Sequence, residues 1–185
     1  LSEHHDHERL FHGGPERLRS PARLALLEVP RVTSLCLEGI AAQSALDVGT
    51  GTGLFAEALS LAGLSVAGVD LNPELLAAAR QLLPSVSFFE SPAESLPCED
   101  GSYDLVFLGH ILHEVEDPLL ALREARRVAR KRVAVLEWPY IAGAEGPPLA
   151  HRLRSETVVE LAGRAGFSRV EALDLSNMVL FRLTV

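Results

Sequence analysis

A short apolar run, Ala45-Leu46-Asp47-Val48, passes directly into Gly49-Thr50-Gly51-Thr52-Gly53, and a helical pattern opens at Leu54. Alternating glycines allow positive-φ backbone and close approach of a ligand where a Cβ would clash. A helix start adds N–H groups that have no partner within the helix. The stretch therefore reads as a strand, a tight turn and a helix N-terminus that can receive a ligand. A second acid, Asp70, ends the next apolar run, Leu64-Ser65-Val66-Ala67-Gly68-Val69. In doubly wound α/β folds, a carboxylate at this point holds ribose hydroxyls.

Beyond Asp70 the chain keeps the same rhythm. Strands are expected at 44–48, 65–69, 86–90, 103–109 and 132–137, alternating with helices at about 53–62, 73–83 and 117–130. Asn72 is an apt N-cap, with Pro73 at the first helical position. Tyr103-Asp104-Leu105-Val106-Phe107-Leu108-Gly109 is nearly all apolar, as a strand covered on both faces should be. Ser155 is placed to cap a helix ending at Gly166. Two last strands, at about 168–174 and 178–184, are separated by only Leu175-Ser176-Asn177, which admits a hairpin but no parallel crossover. The fold expected is a single α/β, doubly wound, Rossmann-like domain over 44–185. Its seven-stranded sheet is mostly parallel, with an antiparallel last strand. Ahead of it, residues 1–43 read as a polar tail and one or two helices over 22–39, broken at Pro21 and Pro30. Leu24, Leu27, Val32, Leu35 and Ile40 are the inward candidates.

Composition narrows the partners. The chain has 185 residues with 17 basic and 25 acidic side chains, a formal charge of −8. An acidic chain is a poor binder of nucleic acid, which requires a basic footprint. The cluster Arg123, Arg126, Arg127, Arg130, Lys131 and Arg132 reads as a solvated helix end favoured by the helix dipole. Cys36 and Cys98 match no zinc spacing and are read as reduced thiols. No apolar run approaches the roughly 18 residues of a membrane span, and the expected location is cytoplasmic. The cluster His4, His5, Asp6, His7, Glu8 and His12 is too dense for a defined metal site and reads as a solvated tail.

These motifs resemble the class I S-adenosylmethionine-dependent methyltransferases, and most closely their small-molecule branch of ubiquinone/menaquinone type. Asp47-x-Gly49-x-Gly51-x-Gly53 is similar to the first motif of that family, and Asp70 to its acid after strand two. Ala93-Glu94-x-Leu96-Pro97 resembles the segment that lies along the adenine, and Tyr103-Asp104-Leu105-Val106 the fourth strand. His113 to Pro118, then Leu122-x-Glu124-x-x-Arg127-Val128, is similar to the following helix. Three positions depart from the pattern. Pro92 stands where many relatives have Asp, His113-Glu114 where many have His-His, and Arg130-Lys131-Arg132 where a Pro-Gly-Gly turn is usual.

The resemblance implies S-adenosylmethionine as cofactor and a small-molecule methyl acceptor. It assigns the methionine part of the cofactor to the turn Gly49, Thr50, Gly51 and Gly53, with Asp47 at its base. Asp70 would bind both ribose hydroxyls, Leu71, Ala93 and Glu94 the adenine side, and the Gly109 carbonyl the ammonium group. Methyl transfer from a sulfonium is an in-line displacement in which the protein chiefly positions the acceptor, so no metal is required. Two segments outside these motifs can reach the methyl group. One carries His110 and His113, which on one helical turn share a face and are candidate bases. The other runs from Trp138 and Tyr140, a candidate acceptor wall, to Arg152, a candidate anchor for an anionic acceptor. Two other readings remain open: a cofactor-binding accessory or sensor protein without catalysis, and an NAD-dependent dehydrogenase. Gly51-x-Gly53-x-x-Ala56 satisfies the dinucleotide fingerprint, a weak signal by itself.

Overall fold

The computed structural model describes residues 15–143 and 145–185, so the His-rich cluster of 4–12 lies outside the described residues. Strands β1 (Ser44–Val48), β2 (Ser65–Asp70), β3 (Ser87–Glu90), β4 (Tyr103–Gly109), β5 (Ala129–Glu137), β6 (Arg169–Asp174) and β7 (Val179–Thr184) form one sheet. Its order is β3-β2-β1-β4-β5-β7-β6. β1 to β5 are mutually parallel, and β7 runs antiparallel to both neighbours. The short link before β7 closes as a hairpin, with Leu175 N–H donating to the Met178 carbonyl at 2.9 Å. From β1 the chain winds outward to β3, then returns to place β4 on the other side of β1. The carboxyl ends of β1 and β4 therefore flank the switch point, where α/β sheets bind ligands.

Burial on both faces explains the unbroken apolar strands. Val106 and Leu108 of β4 pack with Leu122, Ala125, Val158 and Ala162, from helices α6 (Pro118–Val128) and α7 (Ser155–Ala165). Leu105 and Phe107 point the other way, into Val32, Cys36, Phe55 and Leu59, from α3 (Val29–Leu37) and α4 (Leu54–Leu61). Helix α5 (Pro73–Leu82) closes that face over β3 through Leu76, Ala79 and Phe88. Asn72 caps α5, its side chain accepting from Glu74 and Leu75 N–H. Gly166 ends α7 in the left-handed region, but Ser155 is the first residue of that helix rather than its cap, which is Arg154.

Ahead of β1 the chain forms α1 (Pro15–Leu18), α2 (Pro21–Leu27) and α3. The break between α2 and α3 falls at Glu28, held at φ 46°, not at Pro30. Pro30 sits in the first turn of α3, where no intrahelical N–H is needed. Glu28 is fixed from outside: its carboxylate accepts from Ser176 N–H at 2.8 Å and from Arg31 at 2.9 Å. Leu27 and Val32 are buried as expected, but Leu24 is 39% exposed.

The basic cluster also requires correction, because it is largely structural. β5 begins at Ala129, so Arg130, Lys131 and Arg132 are strand residues. Arg130 and Lys131 reach Asp104 at 2.8 and 3.2 Å, while the other oxygen of Asp104 accepts Gln43 N–H at 2.9 Å. These contacts hold the Asp104 carboxyl at about 2, below its usual range, the Gln43 bond contributing most. Arg132 donates to the carbonyls of Cys36 and Glu38 at 2.8 and 2.7 Å, tying the end of α3 to the sheet. Within α6, Arg127 pairs with Glu124 and donates to the Leu96 and Cys98 carbonyls, while Glu124 accepts Leu96 N–H. This pair fixes the segment after β3.

Candidate functional site

The turn after β1 is held from below. Gly49 and Thr50 N–H both donate to the Val69 carbonyl at 2.9 Å. Asp47 is buried, and its Oδ2 accepts the Thr50 hydroxyl at 2.7 Å and Ala56 N–H at 3.0 Å. Burial raises the Asp47 carboxyl to about 7, against the opposite pull of those two donors. Asp47 thus joins the turn to the first residues of α4 and does not line the cleft above it. Gly49 has φ 70° and Gly51 φ 54°, backbone that other residues rarely adopt. A Cβ on Gly49 would overlap the Ile111 side chain.

Asp70 reaches across from the end of β2. Its Oδ2 accepts Gly51 N–H at 2.7 Å and its Oδ1 accepts Asn72 N–H at 2.9 Å. Burial raises its carboxyl above the ordinary range, outweighing those donors. Above the turn, Arg19 latches the N-terminal helices to it. It pairs with Glu57 at 2.6 Å and donates to the Thr52 carbonyl at 3.0 Å.

The cleft over this turn has two lobes, of about 480 and 550 Å³. They share Gly49, Asp70, Leu71, Ile111 and Glu114. The first lobe runs over Gly49, Thr50, Gly51, Gly109 and His110 to Leu18, Arg23, Leu27 and Phe55. The second lies between Leu71 and the segment Ser91, Pro92, Ala93 and Glu94, and is closed by Val115 and Leu120. Glu94 helps shape that wall by accepting Glu116 N–H at 3.0 Å. The fold thus brings Gly49, Thr50, Gly51, Asp70, Leu71, Ala93, Glu94, Gly109 and His110 to one cleft, with Gly53 just below as the N-cap of α4.

Apart from His110, the candidate acceptor-side residues lie elsewhere. His113 is buried behind the cleft, its Nδ1 2.8 Å from Glu137 Oε2 at the end of β5. Burial disfavours its protonated form, but Glu137 outweighs that and raises its pKa. His110 lines the first lobe with φ 60°, and its Nε2 lies 3.2 Å from the Met178 sulfur. Burial, and then Arg23, drive its pKa well below the ordinary value, so the ring is neutral.

Trp138 is a core residue, packed at a tilt against His110 with ring centroids 5.4 Å apart and covered by Arg152 at 5.2 Å. Tyr140 lies under Arg154, 3.9 Å from its ring centre. Buried Arg152 donates to the carbonyls of Pro147, Pro139, Ile141 and Glu145. Its guanidinium is thereby occupied in closing the loop after β5. Trp138, Tyr140 and Arg152 do not line either lobe. Arg152→Ala is expected to lower stability by roughly 2–3 kcal/mol through lost charged hydrogen bonds. Ligand affinity should change less than about twofold; thermal unfolding alongside calorimetry checks both.

Arg23 and Ile111 are cleft residues that the sequence did not single out, and Glu114 is one that it marked only as a departure from the family pattern. Arg23 comes from α2, which bears no motif. Its pKa is lowered by burial, against the raising effect of Glu114. The signal available for Glu114 was its departure from the His-His pattern of the resembling family.

Residues 46–136 match the methyltransferase-domain family. A demethylmenaquinone methyltransferase of Chlorobaculum tepidum is 40% identical over 95 residues, which are 51% of this chain and 39% of that protein. The chain thus spans about two-fifths of the length of that curated relative. Among solved structures, an S-adenosylmethionine-dependent methyltransferase from Aquifex aeolicus superposes with a TM-score of 0.83 at 24% identity, over 92% of this chain and 96% of that one. Magnesium protoporphyrin IX methyltransferase from Synechocystis, solved with S-adenosylhomocysteine bound, superposes at 0.71 with 15% identity, over 96% and 91%. The seven-stranded sheet, mostly parallel with an antiparallel β7, is the fold these solved structures share with the chain. Over residues 46–136 the chain is similar to methyltransferase domains, and its fold is that of the solved S-adenosylmethionine-dependent methyltransferases.

Proposed function

We propose that the protein transfers a methyl group from S-adenosylmethionine to a small-molecule acceptor by in-line displacement. The observation that carries this reading is Asp70. Its carboxylate is held by Gly51 and Asn72 N–H at the point where the two lobes meet. Each oxygen keeps acceptor capacity for a ribose hydroxyl. The donor set and the glycine cradle fit the cofactor. Adenine would sit among Leu71, Pro92, Ala93 and Leu120, and the amino-acid end above Gly49, Thr50 and Gly51, near the Gly109 carbonyl. When bound, the cofactor supplies an activated methyl carbon. The residues of the chain hold it and the acceptor in line, a contribution on the order of 7–11 kcal/mol of barrier.

The acceptor would enter the part of the first lobe walled by Leu18, Leu27 and Phe55, with Arg23 and His110 at its polar side. An apolar lining with few polar groups suits an aromatic or otherwise apolar small molecule. A demethylmenaquinone, which the name of the Chlorobaculum relative denotes, is an acceptor of this character. The test is transfer of label from methyl-labelled S-adenosylmethionine to a panel of small hydroxy-aromatic, amine and thiol compounds. The reading expects label in at least one. Cofactor binding with no transfer to any would point instead to an accessory or sensor role.

A further inference from the structure

Glu114 occupies the junction of the cleft. It lines both lobes together with Gly49, Asp70, Leu71 and Ile111. Its carboxylate makes no hydrogen bond among the described residues, although its side chain is only 23% exposed. The nearest basic atom is Nε2 of His113 at 3.8 Å, and the other ring nitrogen of His113 is held by Glu137. A largely buried carboxylate without a hydrogen-bond donor is costly to keep ionised. Glu114 is accordingly raised to about 7, chiefly by burial, with Glu137 and Asp70 adding to the rise and His113 and Arg23 opposing it. A partly buried carboxylate that lines a cleft and makes no hydrogen bond to the described residues is free to meet a cation or take up a proton there.

With the cofactor placed as proposed, its adenosine half lies in the second lobe and its amino-acid half in the first. The sulfonium that joins the halves then falls at the shared wall, where Glu114 stands. We propose that Glu114 is the proton-accepting group of the methyl-transfer site, ionised opposite the sulfonium and protonated once the methyl group has left.

Atoms and charge balance in this step. The lone pair of the acceptor forms the new bond to carbon, the carbon–sulfur pair stays on sulfur, and the acceptor proton passes to the Glu114 carboxylate. One positive charge leaves the sulfonium and one proton neutralises Glu114, so the charge of the site is unchanged. The acceptor must then carry a dissociable proton on the reacting atom. His110 is poorly suited to this task because its Nε2 lies against Met178 and it faces Arg23. His113 is unsuited because it does not reach the cleft.

This inference rests on the proposed cofactor, and its test needs no acceptor. Calorimetry of the full chain at pH 7, in two buffers of different ionisation enthalpy, counts the protons exchanged on binding. S-adenosylmethionine carries the sulfonium and S-adenosylhomocysteine does not. With Glu114 near half-protonated at about 7, S-adenosylmethionine should expel at least about half a proton more than S-adenosylhomocysteine. Glu114→Gln should abolish that difference and weaken S-adenosylmethionine about tenfold relative to S-adenosylhomocysteine. Its affinity for S-adenosylhomocysteine should stay within about twofold of wild type. Equal proton counts for the two ligands, or a difference that survives in Glu114→Gln, would overturn the role of Glu114 and leave the cofactor reading standing. Failure of both ligands to bind the wild-type chain would overturn the two together.

Discussion

Gly51→Val is expected to weaken S-adenosylmethionine and S-adenosylhomocysteine more than about 100-fold, roughly 2.7 kcal/mol or more. Gly51 has φ 54°, and its N–H is the donor that orients Asp70 at 2.7 Å. A β-branched residue at that φ carries strain on the order of 1–3 kcal/mol. Relief of the strain requires the turn to rotate, which removes the donor from Asp70. The new side chain would also approach Leu18, whose Cδ1 lies 3.2 Å from the position of the added Cβ. Leu18 is the end of a short helix and can yield, so the domain should stay folded. Calorimetry and far-ultraviolet circular dichroism on the same preparation check this. A folded variant with wild-type affinity would remove Gly51 from the site.

Asp70→Ala should weaken cofactor binding about 10- to 100-fold, the loss of a charge-assisted contact worth roughly 1.5–3 kcal/mol. The native oxygens already accept Gly51 and Asn72 N–H, so the carboxylate orders the turn in addition to its proposed role at the ribose. Asp70→Asn should not rescue the effect. Its amide presents a donor to N–H groups that are themselves donors. An unchanged dissociation constant in both variants would mean that the ribose is held elsewhere.

The regular elements were legible because local chemistry decides them. Tyr103 to Gly109 is a strand buried on both faces, and its apolar run is continuous. Asn72 and Pro73 open α5 through a cap bond and a fixed φ, both properties of the residues themselves. The short link Leu175-Ser176-Asn177 left no geometry but a hairpin. Long-range partners decide the rest, and these leave little trace in sequence. Glu28 takes a left-handed conformation because Ser176, far along the chain, supplies its donor. Arg130 and Lys131 join β5 rather than end α6 because Asp104 of the neighbouring strand is there to meet them. Arg152 has the composition of an anion anchor, yet backbone carbonyls of its own loop consume its donors. His113 sits in the expected segment but turns inward because Glu137 lies at the end of the next strand. The same turn leaves Glu114, its neighbour, facing the cleft.

The most direct measurement of the central claim is calorimetric titration of the unmodified chain with S-adenosylmethionine, S-adenosylhomocysteine and NAD in parallel. A cleft built from the glycine turn, Asp70 and the Pro92–Glu94 wall should give saturable heat with the first two and none with NAD up to about millimolar ligand. Binding of NAD, with no heat from either adenosylmethionine compound, would contradict it.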